Sequence, residues 1–220
     1  MIPGPDKIIE CPKCKGLARV FTLISGNTLG ARRWTDGKMI APMLPMPPAI
    51  TKCRHCGHYF WVSDAKEVGE LPLWRDKSEK IPSHWESSKH IKELSESEYL
   101  EAIRIKVAKN REQELYLRIC AWWAGNDPFR FKSQGVADHP ESVPSRSSEA
   151  RMNLEKLLEL LDVTDPEQRL MKAEVLRELG RFDDTICLLE SNYPSEYMGV
   201  VITIRNLVQK KDSMVREIYE

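Results

Sequence analysis

No stretch of this 220-residue chain is apolar for long enough to cross a membrane; runs such as "VVITI" from Val200 fall far short of the roughly 20 residues required. The opening "MIPGPDKIIE" is broken by prolines and charges where a secretory leader would be apolar, so a cytoplasmic protein is expected. Motifs for the commonest chemistries are missing too. There is no G-x-x-x-x-G-K-[ST], no G-x-S-x-G, no H-E-x-x-H and no Rossmann glycine pattern. A non-catalytic protein is therefore expected, with the Asn126–His139 stretch as the only place where catalysis can hide. Net charge is also lacking: 33 Lys+Arg balance 33 Asp+Glu. The balance hides a split, since residues 1–66 carry +6 and residues 67–220 carry −6.

What is present begins with cysteine. Cys11 and Cys14 form one C-x-x-C pair in "CPKCKG", and Cys53 and Cys56 form another in "CRHCGHYF". A two-residue gap lets both sulfurs face one point while turn amides hydrogen-bond to them. Gly57, and the Lys15-Gly16 step, supply the positive φ that such turns tend to need. Two facing turns predict a closed four-sulfur site for one structural zinc ion, with iron as the lesser alternative. Two disulfides are the competing reading, but without an export signal these thiols are expected to stay reduced. A thioredoxin-like redox pair needs a βαβ context that neither motif has. His55 and His58 flank the second pair as possible replacement ligands. Cys120 and Cys187 fall in helix-like segments and read as small apolar groups.

The paired motifs resemble the knuckles of zinc-ribbon domains, small β-hairpin folds around a four-cysteine zinc, over roughly residues 8–64. The 38 residues between Cys14 and Cys53 exceed the gap usual in compact ribbons. That gap reads as scaffolding. "LARVFTLI" (17–24) is a strand, Asp36-Gly37 a hairpin turn between two extended pieces, "PMLPMPP" an extended surface run, and "HYFWVS" the last strand. Within the gap, Arg32, Arg33 and Trp34 put two guanidiniums beside an indole expected to be exposed, a candidate contact surface for phosphates and bases or for an acidic helix.

The remainder reads as a linker over 67–94, anchored by Trp74 and Trp85, followed by helices over 95–220. Ser95 and Glu98 make a capping box, and Tyr99, Ile103 and Val107 a buried stripe. Asn110 and Gln113 cap a second helix, which Gly125 is expected to stop; a long loop over 126–147 follows. Residues 148–162 place Met152, Leu154, Leu157, Leu158 and Leu161 in the core. Residues 166–194 resemble a tetratricopeptide repeat: Ala173 at the close crossing, "LGRFDD" at the turn, then Leu189 and Pro194, with Thr185 where the family usually has alanine. The expectation is an α+β chain in three parts: a zinc-ribbon-like domain (1–66), a linker (67–94) and a tetratricopeptide-like helical array (95–220). Its expected role is to present a protein–protein interaction surface to a partner protein. The alternative is a nucleic-acid-associated factor working through the basic ribbon.

Overall fold

A computed structural model describes residues 1–74, 81–130 and 146–218. Eleven short strands are described: β1 (Ile2–Pro3), β2 (Asp6–Glu10), β3 (Leu17–Val20), β4 (Leu23–Ser25), β5 (Arg32–Trp34), β6 (Met39–Ile40), β7 (Ile50–Lys52), β8 (Tyr59–Trp61), β9 (Lys66–Leu71), β10 (Lys89–His90) and β11 (Glu217–Ile218). The helices are α1 (Ser83–Glu86), α2 (Glu96–Arg104), α3 (Arg111–Arg130), α4 (Ser148–Leu160), α5 (Pro166–Glu178), α6 (Phe182–Leu189) and α7 (Met198–Gln209). Sheet dominates the N-terminal region and helix the C-terminal region. The chain divides into two compact units, one of residues 1–31 and 40–94, the other of residues 32–39 and 95–220.

In the first unit a four-stranded sheet runs β10-β3-β2-β9. Its centre is "DKIIE" of β2, where Ile8 is fully buried and Ile9 nearly so. Consecutive buried β-branched residues are what a central strand covered on both faces demands, each worth about 1.5–3 kcal/mol of burial. β2 pairs antiparallel with β3 and with β9, and β10 adds in parallel to β3. The stretch expected to be a linker is thus, over residues 67–71 of β9 and over Lys89–His90, part of the sheet. The reason is register: β9 satisfies the free edge of β2, a pairing about 60 residues away in sequence. Trp85 lies against Gly69 of β9, so closely that a Cβ there would fall 2.0 Å from the indole. Trp74, expected as a second anchor, is 89% exposed. The strand expected over 17–24 is broken between β3 and β4, where the Thr22 hydroxyl donates to the Pro5 carbonyl (2.7 Å). β8 ends at Trp61, and its three residues are all buried rather than alternating.

The second unit packs its helices in chain order. α2 opens with the full Ser95–Glu98 capping box and buries Tyr99 and Ala102. It ends before Val107 because Lys106 turns the chain at φ 58°, so the buried stripe is shorter than expected. The Asn110 side chain accepts from the Gln113 amide (2.9 Å) at the start of α3. Gly125 does not stop that helix, which continues through Pro128 to Arg130. A Cβ at residue 125 would sit 2.4 Å from the Glu96 carboxylate, so this glycine permits α2 to lie close rather than breaking α3. Residues 131–145, most of the expected 126–147 loop, lie outside the described residues, His139 included. α4 buries Leu154, Leu157 and Leu158 but leaves Met152 62% exposed.

α5 is the central helix. Met171, Val175 and Leu176 join Trp122 and the α4 leucines in one apolar cluster, while Leu170 and Ala173 join Leu189, Val201, Ile204 and Val208 in another. A helix covered on several sides cannot show a clean polar stripe. Its polar residues Glu174, Arg177 and Glu178 are therefore buried with the rest. Asp165 caps α5 by accepting from the Glu167 and Gln168 amides, Pro166 occupies the first turn, and Gly180 (φ 77°) turns the chain into α6.

Candidate metal centre and the loop between its cysteine pairs

The two C-x-x-C segments fold into matching turns. In the first, the Cys11 amide donates to the Gly16 carbonyl (2.9 Å) and the Lys15 amide to the Cys11 carbonyl (3.0 Å). In the second, the Cys53 amide donates to His58 (2.8 Å) and the Gly57 amide to Cys53 (2.9 Å). The left-handed residue is Gly57 (φ 71°) in one turn and Lys15 (φ 60°), not Gly16, in the other. Gly16 meets a different need. The His55 ring reaches across from the opposite turn, its Cδ2 only 2.3 Å from where a Cβ would stand.

The sulfurs of Cys11, Cys14, Cys53 and Cys56 all lie within 4.8 Å of one another. Cys11–Cys56 is 3.8 Å and Cys14–Cys53 is 3.6 Å, far beyond a disulfide bond. A tetrahedron with metal–sulfur bonds of about 2.3 Å has edges of roughly 3.8 Å, so the donor set fits a tetrahedral thiolate metal. Amides of Gly16 and His55 point at Cys14 and Cys53 (3.4 Å each). Cys11 and Cys53 face a small apolar cluster with Ile9, Val20 and Phe60, while Cys14 and Cys56 face outward. The Gly16 amide pulls the Cys14 thiol down, but hydrogen bonding with Cys56, burial and the remaining cysteines push it up to about 12. A divalent cation reverses that balance, because it stabilises thiolates directly. His55 and His58 are not in this ligand cluster.

Of the expected contact surface, Arg33 alone is exposed. Trp34 is 1% exposed, so the indole expected at the surface is core. The guanidiniums of Arg32 (5.0 Å) and Arg130 (5.4 Å) both lie over its ring. Arg32 itself is held by Glu217 of β11 (Nε–Oε1 2.6 Å), and β11 pairs antiparallel with β5. The stretch between the cysteine pairs thus contributes residues 32–39 to the helical unit. The buried carboxylate of Asp36, read in sequence only as a turn residue, is central there. Arg130 donates to it through two nitrogens (3.0 and 2.5 Å), and the Asn126 amide donates to it at 2.9 Å. Asn126 also donates to Glu178 (2.9 Å), which accepts from the Trp122 indole (2.8 Å) and pairs with Arg146. Lys38 and Arg130 share Asp127. Burial opposes the Arg130 charge, but Asp36 and Asp127 hold its pKa above the ordinary arginine value. Burial raises Glu178 to about 7, with Arg146 pulling the other way and Glu174 and Asp36 adding to the rise. No sequence motif announces this network, since Asp36 stands 90 residues from Asn126.

The helical unit also carries an open groove of about 620 Å³ across α4, α5 and α6. Leu158, Leu176 and Leu188 line it with Glu155, Lys172 and Arg181, and the exposed Cys187 lies in its wall. Cys120, by contrast, is buried as expected. Among the described residues no helix is long and apolar enough to cross a membrane. Comparison with protein-family models, curated proteins and solved structures finds no match to this chain.

Proposed function

We propose that the chain is a non-catalytic zinc protein whose role is to bind a partner protein. Zinc is the ion favoured for the cysteine site, because four thiolates at tetrahedral spacing complete its coordination and leave no open position for chemistry. The first unit is then a zinc ribbon enlarged by the strands that follow it. A reducing, cytoplasmic setting suits four closely spaced free thiols.

The observation that carries the binding role is the groove over α4, α5 and α6, whose lining combines leucines with charges of both signs. Helical arrays use such surfaces to hold segments of other proteins. A tetratricopeptide-like crossing supports the same reading: Ala173 and Thr185 are both fully buried, and the Thr185 hydroxyl bridges the carbonyls of Ala173 (3.3 Å) and Arg181 (3.0 Å). The occupant would be a peptide with apolar side chains flanked by charge. Selection of a displayed peptide library on the zinc-loaded chain tests this. Enrichment of one motif class, with binding weakened at least tenfold by Lys172→Glu together with Glu155→Lys, is the expected result. Failure to enrich, or enrichment indifferent to both substitutions, contradicts the reading.

A further inference from the structure

The cysteine cluster brings two short loops together, and their exposed side chains share a sign. Residues 11–16 and 53–58 present Lys13, Lys15, Arg54, His55 and His58 to solvent, and contain no carboxylate. Cys14 and Cys56, the exposed pair of cysteines, stand in sequence among these cations. A zinc tetrathiolate carries a formal charge of about −2, which the three fixed cations outweigh before either imidazole is counted. Beside them is a water-sized slot of about 20 Å³, whose lining includes Gly16, Lys52, Arg54, His55 and His90. Asp6, on the neighbouring strand β2, is engaged by His90 (2.8 Å) and Arg19 (3.9 Å). Arg54 is steadied by one bond to the His90 carbonyl (3.3 Å).

We infer that this face binds the phosphodiester backbone of nucleic acid, independently of base sequence, at a surface separate in residues from the α4–α6 groove. An acidic protein would be drawn to the same charge, but protein interfaces draw their strength from large anchors such as Trp, Tyr or Met buried at their centre. Neither loop offers an exposed large hydrophobic residue. Phosphates need only point cations and guanidinium forks. Neither loop carries Phe, Tyr or Trp, the strongest platforms for base stacking, so the contact is chiefly electrostatic.

The test is fluorescence anisotropy of labelled random-sequence DNA and RNA, single- and double-stranded, with the zinc-loaded full chain. Binding at 25 mM salt is expected. With three phosphates contacted, duplex affinity should fall by roughly 40-fold between 50 and 200 mM salt. Lys13→Glu with Arg54→Glu should weaken binding at least tenfold while leaving one zinc per chain; Lys13→Gln with Arg54→Gln, a milder pair, should give an intermediate loss. Lys15 is left unchanged, because its left-handed backbone makes substitution there a structural perturbation. Arg33→Glu, in the helical unit, should change nothing. Absence of binding at 25 mM salt overturns the inference, as does binding indifferent to both substituted pairs. Tighter binding of polyglutamate than of nucleic acid would overturn it in favour of an acidic protein.

Discussion

The two units hold their polar groups by opposite means. In the first, the chemistry is local: each pair of sulfurs comes from a six-residue turn, and the amides that support them belong to the same turns. In the second, the buried charges are assembled from far apart, with Asp36 on an eight-residue excursion between cysteine pairs and Arg130, Asn126 and Glu178 on α3 and α5. If the four sulfurs hold zinc as proposed, the first arrangement draws its stability from the ion. The second closes on itself, because Asp36, Asp127 and Glu178 are matched by Arg130, Lys38 and Arg146. Dependence on metal and self-sufficiency are thus the two behaviours to separate experimentally.

The largest effect should come from Cys14→Ser. Structural zinc contributes about 10–16 kcal/mol of apparent folding energy in small zinc peptides. Loss of the site should therefore abolish amide protection over β2, β3, β7 and β8 while α3 to α7 keep theirs, as hydrogen exchange with mass spectrometry would show. Equal loss in both regions would erase the comparison. Asp36→Ala should do the reverse. Removing one partner of a buried ion pair costs about 3–5 kcal/mol. Protection should fall across α3 and α5, with zinc content unchanged.

A subtler test uses pH. Glu178 has its folded pKa raised to about 7, above the ordinary value of 4.5. Between those values the folded state retains a proton that the unfolded state has released, so stability should fall as pH rises from 4.5 towards 7. Glu178→Gln cannot ionise, so the thermal midpoint of wild type should drop relative to the variant over that window. A constant difference would show that Glu178 is ionised throughout. Smallest is Ser95→Ala, which removes the α2 cap and should cost about 1 kcal/mol in a denaturant titration of the helical signal.

How much of this was readable in advance follows from the same contrast. The cysteine turns, the Ser95 box, Pro166 and Gly180 are chemistry written within a few neighbouring residues, and each occurs where its pattern indicates. The pairing of β2 with β9, the burial of Trp34 and the continuation of α3 past Gly125 depend on partners far away in sequence. Gly125 has the same composition signal whether it ends a helix or admits Glu96, and only the approach of α2 decides between them. Arg32, Arg33 and Trp34 looked like a surface because two guanidiniums beside an indole suit ligand binding. They suit a buried cation–π stack equally well, and Glu217 and Arg130, which complete it, lie 185 and about 96 residues further along.

The central claim, a zinc tetrathiolate that holds the first unit together, is tested most directly by metal analysis and X-ray absorption on the purified full chain. One zinc per chain with four sulfur neighbours at about 2.3 Å is the predicted result. A metal-free chain whose β2, β3, β7 and β8 amides are nonetheless protected, or a metal bound through nitrogen and oxygen, would contradict it.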